Sequence, residues 1–504
     1  MSTPSNGAPS PEAAFATGEL LGDIGGRSRR GGALLLSAQA VRLVGQIGTI
    51  VVLARLLPPS AFGLLAMVAA IGTVLDLVKE FGLSAATIQK QDIGHAQVSA
   101  LFWINASVGL LLGTVLLATA PWLADFYGQP ELEAIASWLA IGFAASGLTV
   151  QHWALLRRQM RFGAIAGIET ASDYAGFAVA IALAVLGAGY WALVAQRVLS
   201  PILLMLGSWA VCRWRPGRPE SASGLRELIV YGAGVTGSGL AAALSRSVDQ
   251  ILIGWLWGAT VLGLYERTTR LLMLPVNTIN APVYATAMPA LSRLIDDPDR
   301  YRSLFLQVVQ KLALLTMPAF ALAAGTADWV VEIVLGPAWV EAVPLVALFS
   351  VAATCLPLVM AVGLLYMTQA RTGEMLRATL VDAFFCVAAV LGGLHWGVVG
   401  IAAMLALAGP CLRLPAAIWL ATRRGPVSAI QTWRAIAPPA SAAIAVALAV
   451  VGSRALIAAP SAIALASIAG LALSVTGAVL LAWPETRREM FAVMRPRPHH
   501  PRPR

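Results

Sequence analysis

Hydrophobic and polar positions alternate in blocks along this chain, with apolar runs of about 20 residues separated by short polar connections rich in Gly and Pro. Runs centred near residues 45, 70, 108, 142, 176, 200, 240, 273, 313, 354, 384, 407, 443 and 472 predict about fourteen helices. At about 1.5 Å per residue each is long enough to cross a hydrocarbon core. The first run, 33–57, is interrupted by Gln39, Arg42, Gln46 and Arg55. An ionised side chain at bilayer depth costs at least about 2.5 kcal/mol, so such groups face a bundle interior or a watery cavity rather than lipid. The first run therefore predicts one wall of a polar path through a membrane.

The block pattern also repeats. SAFGLL (60–65) aligns with TVLGLY (260–265), placing Gly63 on Gly263, and VLGAGYWALV (185–194) aligns with VLGGLHWGVV (390–399), placing Trp191 on Trp396. The offsets, 200 and 205 residues, are nearly equal. Six runs precede the basic stretch CRWRPGRPESASGLRE (212–227) and six occupy the matching places after it. The expected fold is all-α and polytopic: an N-terminal lobe over 33–212, a cytoplasmic linker over 213–226, a C-terminal lobe over 227–422, and two additional spans over 423–484. A disordered cytoplasmic tail is expected over 1–32 and a basic cytoplasmic tail over 485–504. An even number of spans in each repeat makes the repeats parallel, related by an axis along the membrane normal; transporters on this plan hold their substrate between the halves.

Composition agrees with this reading. Of 504 residues, 58% are hydrophobic and only 12% charged, with a mean hydropathy of +0.76, outside the range of ordinary soluble chains. No short apolar run with a small-residue cleavage site precedes the first span, so no cleaved signal peptide is expected. The net charge of +10 would suggest nucleic acid in a soluble protein, but most of the basic residues fall in loops assigned to one side, from Arg27, Arg29 and Arg30 through Arg413, Arg423, Arg424 and Arg434 to the C-terminal tail. The positive-inside rule then puts both termini in the cytoplasm of a multi-pass inner-membrane protein. Cys212, Cys355, Cys386 and Cys411 lie on separate runs without ligand spacing, so neither a disulfide framework nor a metal site is expected. GAGVTG (232–237) has dinucleotide-fingerprint spacing but no βαβ context, and it reads better as close helix packing.

The charges inside apolar runs carry the candidate chemistry. Arg42, Arg55, Arg246, Arg267 and Arg270 are candidate ligands for phosphate, because a guanidinium is a planar fork that stays protonated. The competing structural reading pairs Arg246 with Asp249 and Arg270 with Glu266 one turn apart, and lets Arg55, Arg267 and Arg270 snorkel to an interface. Asp76, Glu169, Asp173, Asp249 and Asp382 are candidate ion-coupling carboxylates, since a buried carboxyl can load and release a proton or sodium ion; Glu169 near a helix start also suits the helix dipole. No Ser, Cys or His arrangement indicates a catalytic residue, and no cofactor or metal is expected.

LARLLPPSAFGLLAM (53–67), FGLSAATIQKQDI (81–93), FYGQPEL (126–132), LLRRQMRF (155–162), GYWALVAQ (189–196), SRSVDQILIG (245–254) and PALSRLIDDPDRYR (289–302) together resemble the polysaccharide and lipopolysaccharide biosynthesis flippases, the Wzx-type members of the multidrug/oligosaccharidyl-lipid/polysaccharide exporter superfamily. The similarity runs over about 35–420. It implies two six-helix lobes around a cavity that opens alternately to each side, and movement of an isoprenoid pyrophosphate-linked oligosaccharide to the outer leaflet. Cationic residues facing the cavity are then the expected pyrophosphate contacts, supplied here by Arg42, Arg55 and Arg246. The partners implied are the lipid-linked oligosaccharide, membrane lipids, and a polysaccharide polymerase and export machinery, with no nucleic acid. The alternatives are a multidrug or organic-cation antiporter of the same superfamily and a membrane polysaccharide polymerase; the chain has no large external loop of the kind that polymerases carry.

Overall fold

The computed structural model describes residues 24–80, 84, 87, 93–218, 225–454 and 462–483, with the side chains of 24–36, 74, 76–80, 225–246 and 462 outside that description. Among the described residues the chain is helical throughout, with no strand. The helices are α1 (Ile24–Leu56), α2 (Pro59–Glu80), α3 (His95–Tyr127), α4 (Glu131–Arg158), α5 (Phe162–Val185), α6 (Trp191–Cys212), α7 (Leu225–Arg293), α8 (Pro298–Gly325), α9 (Val343–Ala353), α10 (Leu356–Thr368), α11 (Thr372–Gly393), α12 (Gly397–Ala408), α13 (Leu414–Thr422), α14 (Ala429–Arg454) and α15 (Ala462–Ala482).

Local sequence sets the breaks. At the end of α3, Gly128 takes φ 63°, a left-handed conformation, and the carbonyls of Ala124 and Asp125 accept hydrogen bonds at this cap; glycine adopts it without the steric cost of a side chain. Asp297 caps α8 by accepting from the N–H of Arg300 at 3.2 Å, and Pro298 follows where a missing N–H costs nothing. The 69-residue α7 is not one rod, because Gly258 leaves helical geometry at φ 77°, ψ −174°. Between α12 and α13, residues Gly409–Arg413 widen into a π-helical stretch that contains Pro410. The fingerprint-like 232–237 lies inside α7 and is helical, which removes the strand-turn-helix context a dinucleotide loop needs.

Eleven helical runs among the described residues are long and apolar enough to cross a membrane. Two of them, of 47 and 51 residues, exceed by about twofold the roughly 20 residues a bilayer needs; Gly258 breaks one, and the turn at Leu394–Trp396 before α12 breaks the other. The fourteen spans expected from hydropathy are reached only if each long run is two spans and the shorter apolar Pro59–Thr73 is counted. Large apolar side chains lie on the outside, among them Leu110, Leu473 and Ile463. In water so many would drive association; in a bilayer they are the lipid-facing surface.

Two compact units divide the chain, Met1–Gly263 and Leu264–Arg504, so the chain passes from one to the other inside α7. The expected linker, 213–226, lies partly outside the described residues. In the first unit α3 and α4 pack at backbone distance: a Cβ on Gly109 would fall 2.8 Å from the Cα of Gly147, and one on Gly113 would fall 2.8 Å from the carbonyl oxygen of Ala140. Small residues at this spacing let helices approach where no hydrophobic force between them exists. A core of Leu101, Phe102, Leu155, Leu156, Ile165 and Trp214 closes one end. In the second unit Leu291, Phe305, Val309, Leu358, Leu365 and Ile418 form the main core, while Val446, Val450 and Ile468 of α14 and α15 close over Trp329.

One crossing in the first unit ties the sequence repeat to packing. A Cβ on Gly63 would lie 1.7 Å from the carbonyl oxygen of Ala259, and a Cβ on Gly263 would lie 1.9 Å from that of Pro59. Residue 63 meets 259 and residue 263 meets 59, so with the 200-residue offset each partner's contact is the image of the other's. Glycine is required at both places because the crossing leaves no room for any side chain.

Candidate functional site

The first unit brings together three of the charges that the sequence singles out. Glu169 and Asp173 stand four residues apart on α5, one turn of a helix, so their carboxylates share a face. Arg42 of α1 reaches both: its Nε donates to Asp173 Oδ2 at 2.8 Å and its Nη1 donates to Glu169 Oε2. α1 is held against α5 by its neighbours, for Tyr174 Oη donates to the carbonyl of Val41 at 2.8 Å and the Tyr174 ring lies where any side chain at Gly45 would fall. The three side chains are 31%, 26% and 25% exposed, accessible without being bathed in solvent.

Glu169 also lines a cavity of about 260 Å³ with Ser84, Thr149, Trp153 and Arg157. A second cavity of about 250 Å³, lined by Thr73, Phe143 and Arg197, shares Ser146 and Pro201 with the first. Both cavities lie within this unit, and of the Arg42 cluster it is Glu169 that lines the first. A third cavity, of about 430 Å³, is walled by Trp138, Leu183, Trp191 and Leu199 and is almost wholly apolar.

The other candidates are dispersed. Arg55 is exposed in the last turn of α1, where a cation complements the helix dipole. Asp249 accepts from the N–H of Gln250 at 2.8 Å. In the second unit Arg267 is buried at 5% exposure, and Arg270 pairs with Glu266 at 3.3 Å, the one-turn pairing of the structural reading. The side chains of Asp76 and Arg246 lie outside the described residues, although both positions fall within helices α2 and α7.

Asp382 of α11 is gripped by a partner the sequence assigned elsewhere. Arg413 donates to it through Nε at 2.7 Å and Nη2 at 2.8 Å, a bidentate fork. Arg413 was expected in a basic cytoplasmic loop with Arg423, Arg424 and Arg434; instead it ends the widened Gly409–Arg413 stretch and is only 15% exposed. The signal that points to it is an unpaired Asp382 on the preceding span, which needs a cation nearby.

Two further clusters are structural. After α6, Trp214 packs edge-on against Phe102 and His152, its indole N–H donates to His95 Nδ1 at 3.1 Å, and Trp103 donates to the carbonyl of Gly217 at 2.8 Å. His95 and His152 are thus absorbed in fastening 213–218 onto α3 and α4. Arg454, at the end of α14, donates to both oxygens of Asp328 at 2.5 Å and lies over the Trp329 ring at 4.9 Å. Burial acts to raise the Asp328 carboxyl, but the Arg454 hydrogen bonds and the Trp329 N–H outweigh it and hold the group below the usual carboxylate range.

Residues 52–344 match the model of a family described as "Polysaccharide biosynthesis protein". The teichuronic acid biosynthesis protein TuaB of Bacillus subtilis (strain 168) is 30% identical over 283 residues, covering 55% of this chain and 58% of TuaB. The lipopolysaccharide biosynthesis protein WzxC of Escherichia coli (strain K12) is 24% identical, covering 69% of this chain and 72% of WzxC, and the succinoglycan biosynthesis transport protein ExoT of Rhizobium meliloti (strain 1021) is 25% identical, covering 60% and 61%. The match thus spans 58% of TuaB's length, short of that whole relative. Among solved structures, the lipid II flippase MurJ in an inward closed conformation superposes with a TM-score of 0.71 at 10% identity, over 92% of this chain and 100% of that one. An inward-facing multidrug resistance transporter of the MATE family superposes with a TM-score of 0.57 at 12% identity, over 81% and 98%. At those identities the likeness is one of fold.

Proposed function

The chain belongs to the polysaccharide biosynthesis protein family, and from that premise we propose that it is a flippase for an isoprenoid pyrophosphate-linked oligosaccharide, working by alternating access in exopolysaccharide or lipopolysaccharide assembly. It is a multi-pass membrane protein, placed in this reading in the inner membrane with both termini cytoplasmic. The observation that carries the reading is Arg42: a partly accessible guanidinium on an apolar helix of a chain whose family is described as one of polysaccharide biosynthesis proteins. Three relatives are named for three different products, teichuronic acid, lipopolysaccharide and succinoglycan. What is proposed is therefore the class of cargo, a saccharide on a lipid carrier, rather than one sugar.

In this reading Arg42 contacts the pyrophosphate, and Arg55, Arg246, Arg267 and Arg270 are the further cationic candidates. Asp76, Glu169, Asp173, Asp249 and Asp382 are the carboxylates available for ion coupling. A polysaccharide polymerase and export machinery would take the product. The membrane potential favours the direction: two negative charges moving outward against an inside-negative potential gain about 2.3 kcal/mol per charge per 100 mV.

Depletion of the protein tests this. The expected result is accumulation of the completed lipid-linked saccharide on the cytoplasmic face, detected by probing sealed membranes of each orientation. Normal arrival of the unit at the outer face, left unpolymerised, would overturn it and favour a polymerase; an unchanged unit with lost efflux of organic cations would favour an antiporter.

A further inference from the structure

The end of the first unit where α6 stops carries four exposed arginines: Arg161 in the turn between α4 and α5, and Arg213, Arg215 and Arg218 in the segment after α6. Among the described residues none of the four makes an ion pair, and Arg213 and Arg218 donate no hydrogen bond. We infer that this patch binds the anionic headgroup of a bilayer phospholipid such as phosphatidylglycerol, with its acyl chains lying along α3. The inference is independent of what the protein transports.

Basic loops that only set topology need no fixed shape, but this one is fastened. Trp214 is 3% exposed, and the Gly217 N–H donates to Ser99 Oγ at 2.9 Å while its carbonyl accepts from the Trp103 indole at 2.8 Å. Arg161 Nη1 donates to the carbonyl of Val211 at 3.1 Å, which joins the α4–α5 turn to the last turn of α6. Arg215 spends Nη1 on the carbonyls of Trp209 and Trp214, each at 3.1 Å, and lies 5.3 Å from the centre of the Trp209 ring. Arg213 holds a left-handed backbone at φ 54°, ψ 0°, a conformation that glycine adopts without cost and arginine does not. The guanidiniums are therefore ordered before any ligand arrives, and ordering costs are what otherwise weaken binding by long side chains. The neighbouring surface identifies the ligand. Trp103, Leu110 and Leu117 recur every seven residues, so they share one face of α3, and they are 41%, 62% and 51% exposed. That face suits lipid chains, and an indole at its end suits the membrane–water interface. Because the Trp103 N–H is bonded to Gly217, the residue before Arg218, the patch stands at headgroup depth beside an acyl-chain surface. A phosphodiester headgroup with net negative charge meets paired donors from a guanidinium fork; a zwitterionic headgroup, with its own cation, gains far less from the patch.

The test places the full chain in nanodiscs of equal phosphatidylglycerol and phosphatidylcholine and counts the lipids retained on the released protein by native mass spectrometry. The native protein should retain phosphatidylglycerol over phosphatidylcholine by about tenfold. R213Q combined with R218Q removes two charges that support no contact within the protein, so the melting temperature should stay native while the preference falls to about twofold. W103F keeps an aromatic ring but loses the N–H that holds Gly217, and it should lower the preference as well. R377Q combined with R434Q is the control, because it removes the same charge from exposed arginines of the second unit and should leave the preference native. A native preference in R213Q/R218Q, or an equal loss in R377Q/R434Q, would overturn the site. Displacement of phosphatidylglycerol by excess inorganic phosphate at constant ionic strength would also overturn it, marking a soluble-anion site in place of a lipid one.

Discussion

A guanidinium at membrane depth must be compensated, and Arg42 and Arg413 are compensated differently. Arg42 donates from two separate nitrogens, Nε and Nη1, to two carboxylates on another helix, whereas Arg413 gives its Nε/Nη2 fork to Asp382 alone. Asp382 is 32% exposed, so the pair lies between the exposed kind, contributing about 0.2–1 kcal/mol, and the buried kind, whose breakage costs about 3–5 kcal/mol. Asp382→Ala strands Arg413 and should lower the melting temperature of detergent-purified protein, while Asp382→Ala combined with Arg413→Met should recover most of the loss; equal losses in both variants would show that the pair is not what stabilises this region. Arg42 was readable in the sequence because it interrupts an apolar run. Its partners were readable as carboxylates but not as partners, since they lie 127 and 131 residues away. Arg413 was misplaced because it stands close to the basic Arg423 and Arg424, and a hydropathy profile cannot tell the end of a span from the start of a loop.

For the helices, the closest packing is where α2 crosses α7. Gly63→Ala and Gly263→Ala each force a methyl group into a backbone carbonyl, and overpacking of this kind costs about 1–3 kcal/mol. Each should reduce the yield of folded protein and its melting temperature, with Gly48→Ala as the comparison, because nothing lies within 4 Å of a Cβ there; a native melting temperature for Gly63→Ala would mean that the crossing opens without cost. The apolar periodicity located the helices but not their interruptions. Gly258 at φ 77° and the widened turn at Gly409–Arg413 leave the surrounding runs apolar, so nothing in the hydropathy marks them.

For the whole molecule, hydropathy, loop charge and the internal repeat were enough to give an all-helical membrane fold, because in lipid every backbone group must be satisfied within its own segment and helices do this locally. The expected sidedness rests on loop charge alone and is open to direct measurement. Alkaline phosphatase fused at Gly128 should be active, and fused at Gln159 or after Trp483 inactive, with green fluorescent protein fusions giving the reverse; the opposite pattern would invert the topology. The contact of 63 with 259 and of 263 with 59 has a further consequence. Two copies joined by duplication are ordinarily free to drift apart, each change being judged within its own copy. At this crossing a change in one copy is felt by the other, so Gly63 and Gly263 cannot vary independently of the backbone that each copy presents to the other.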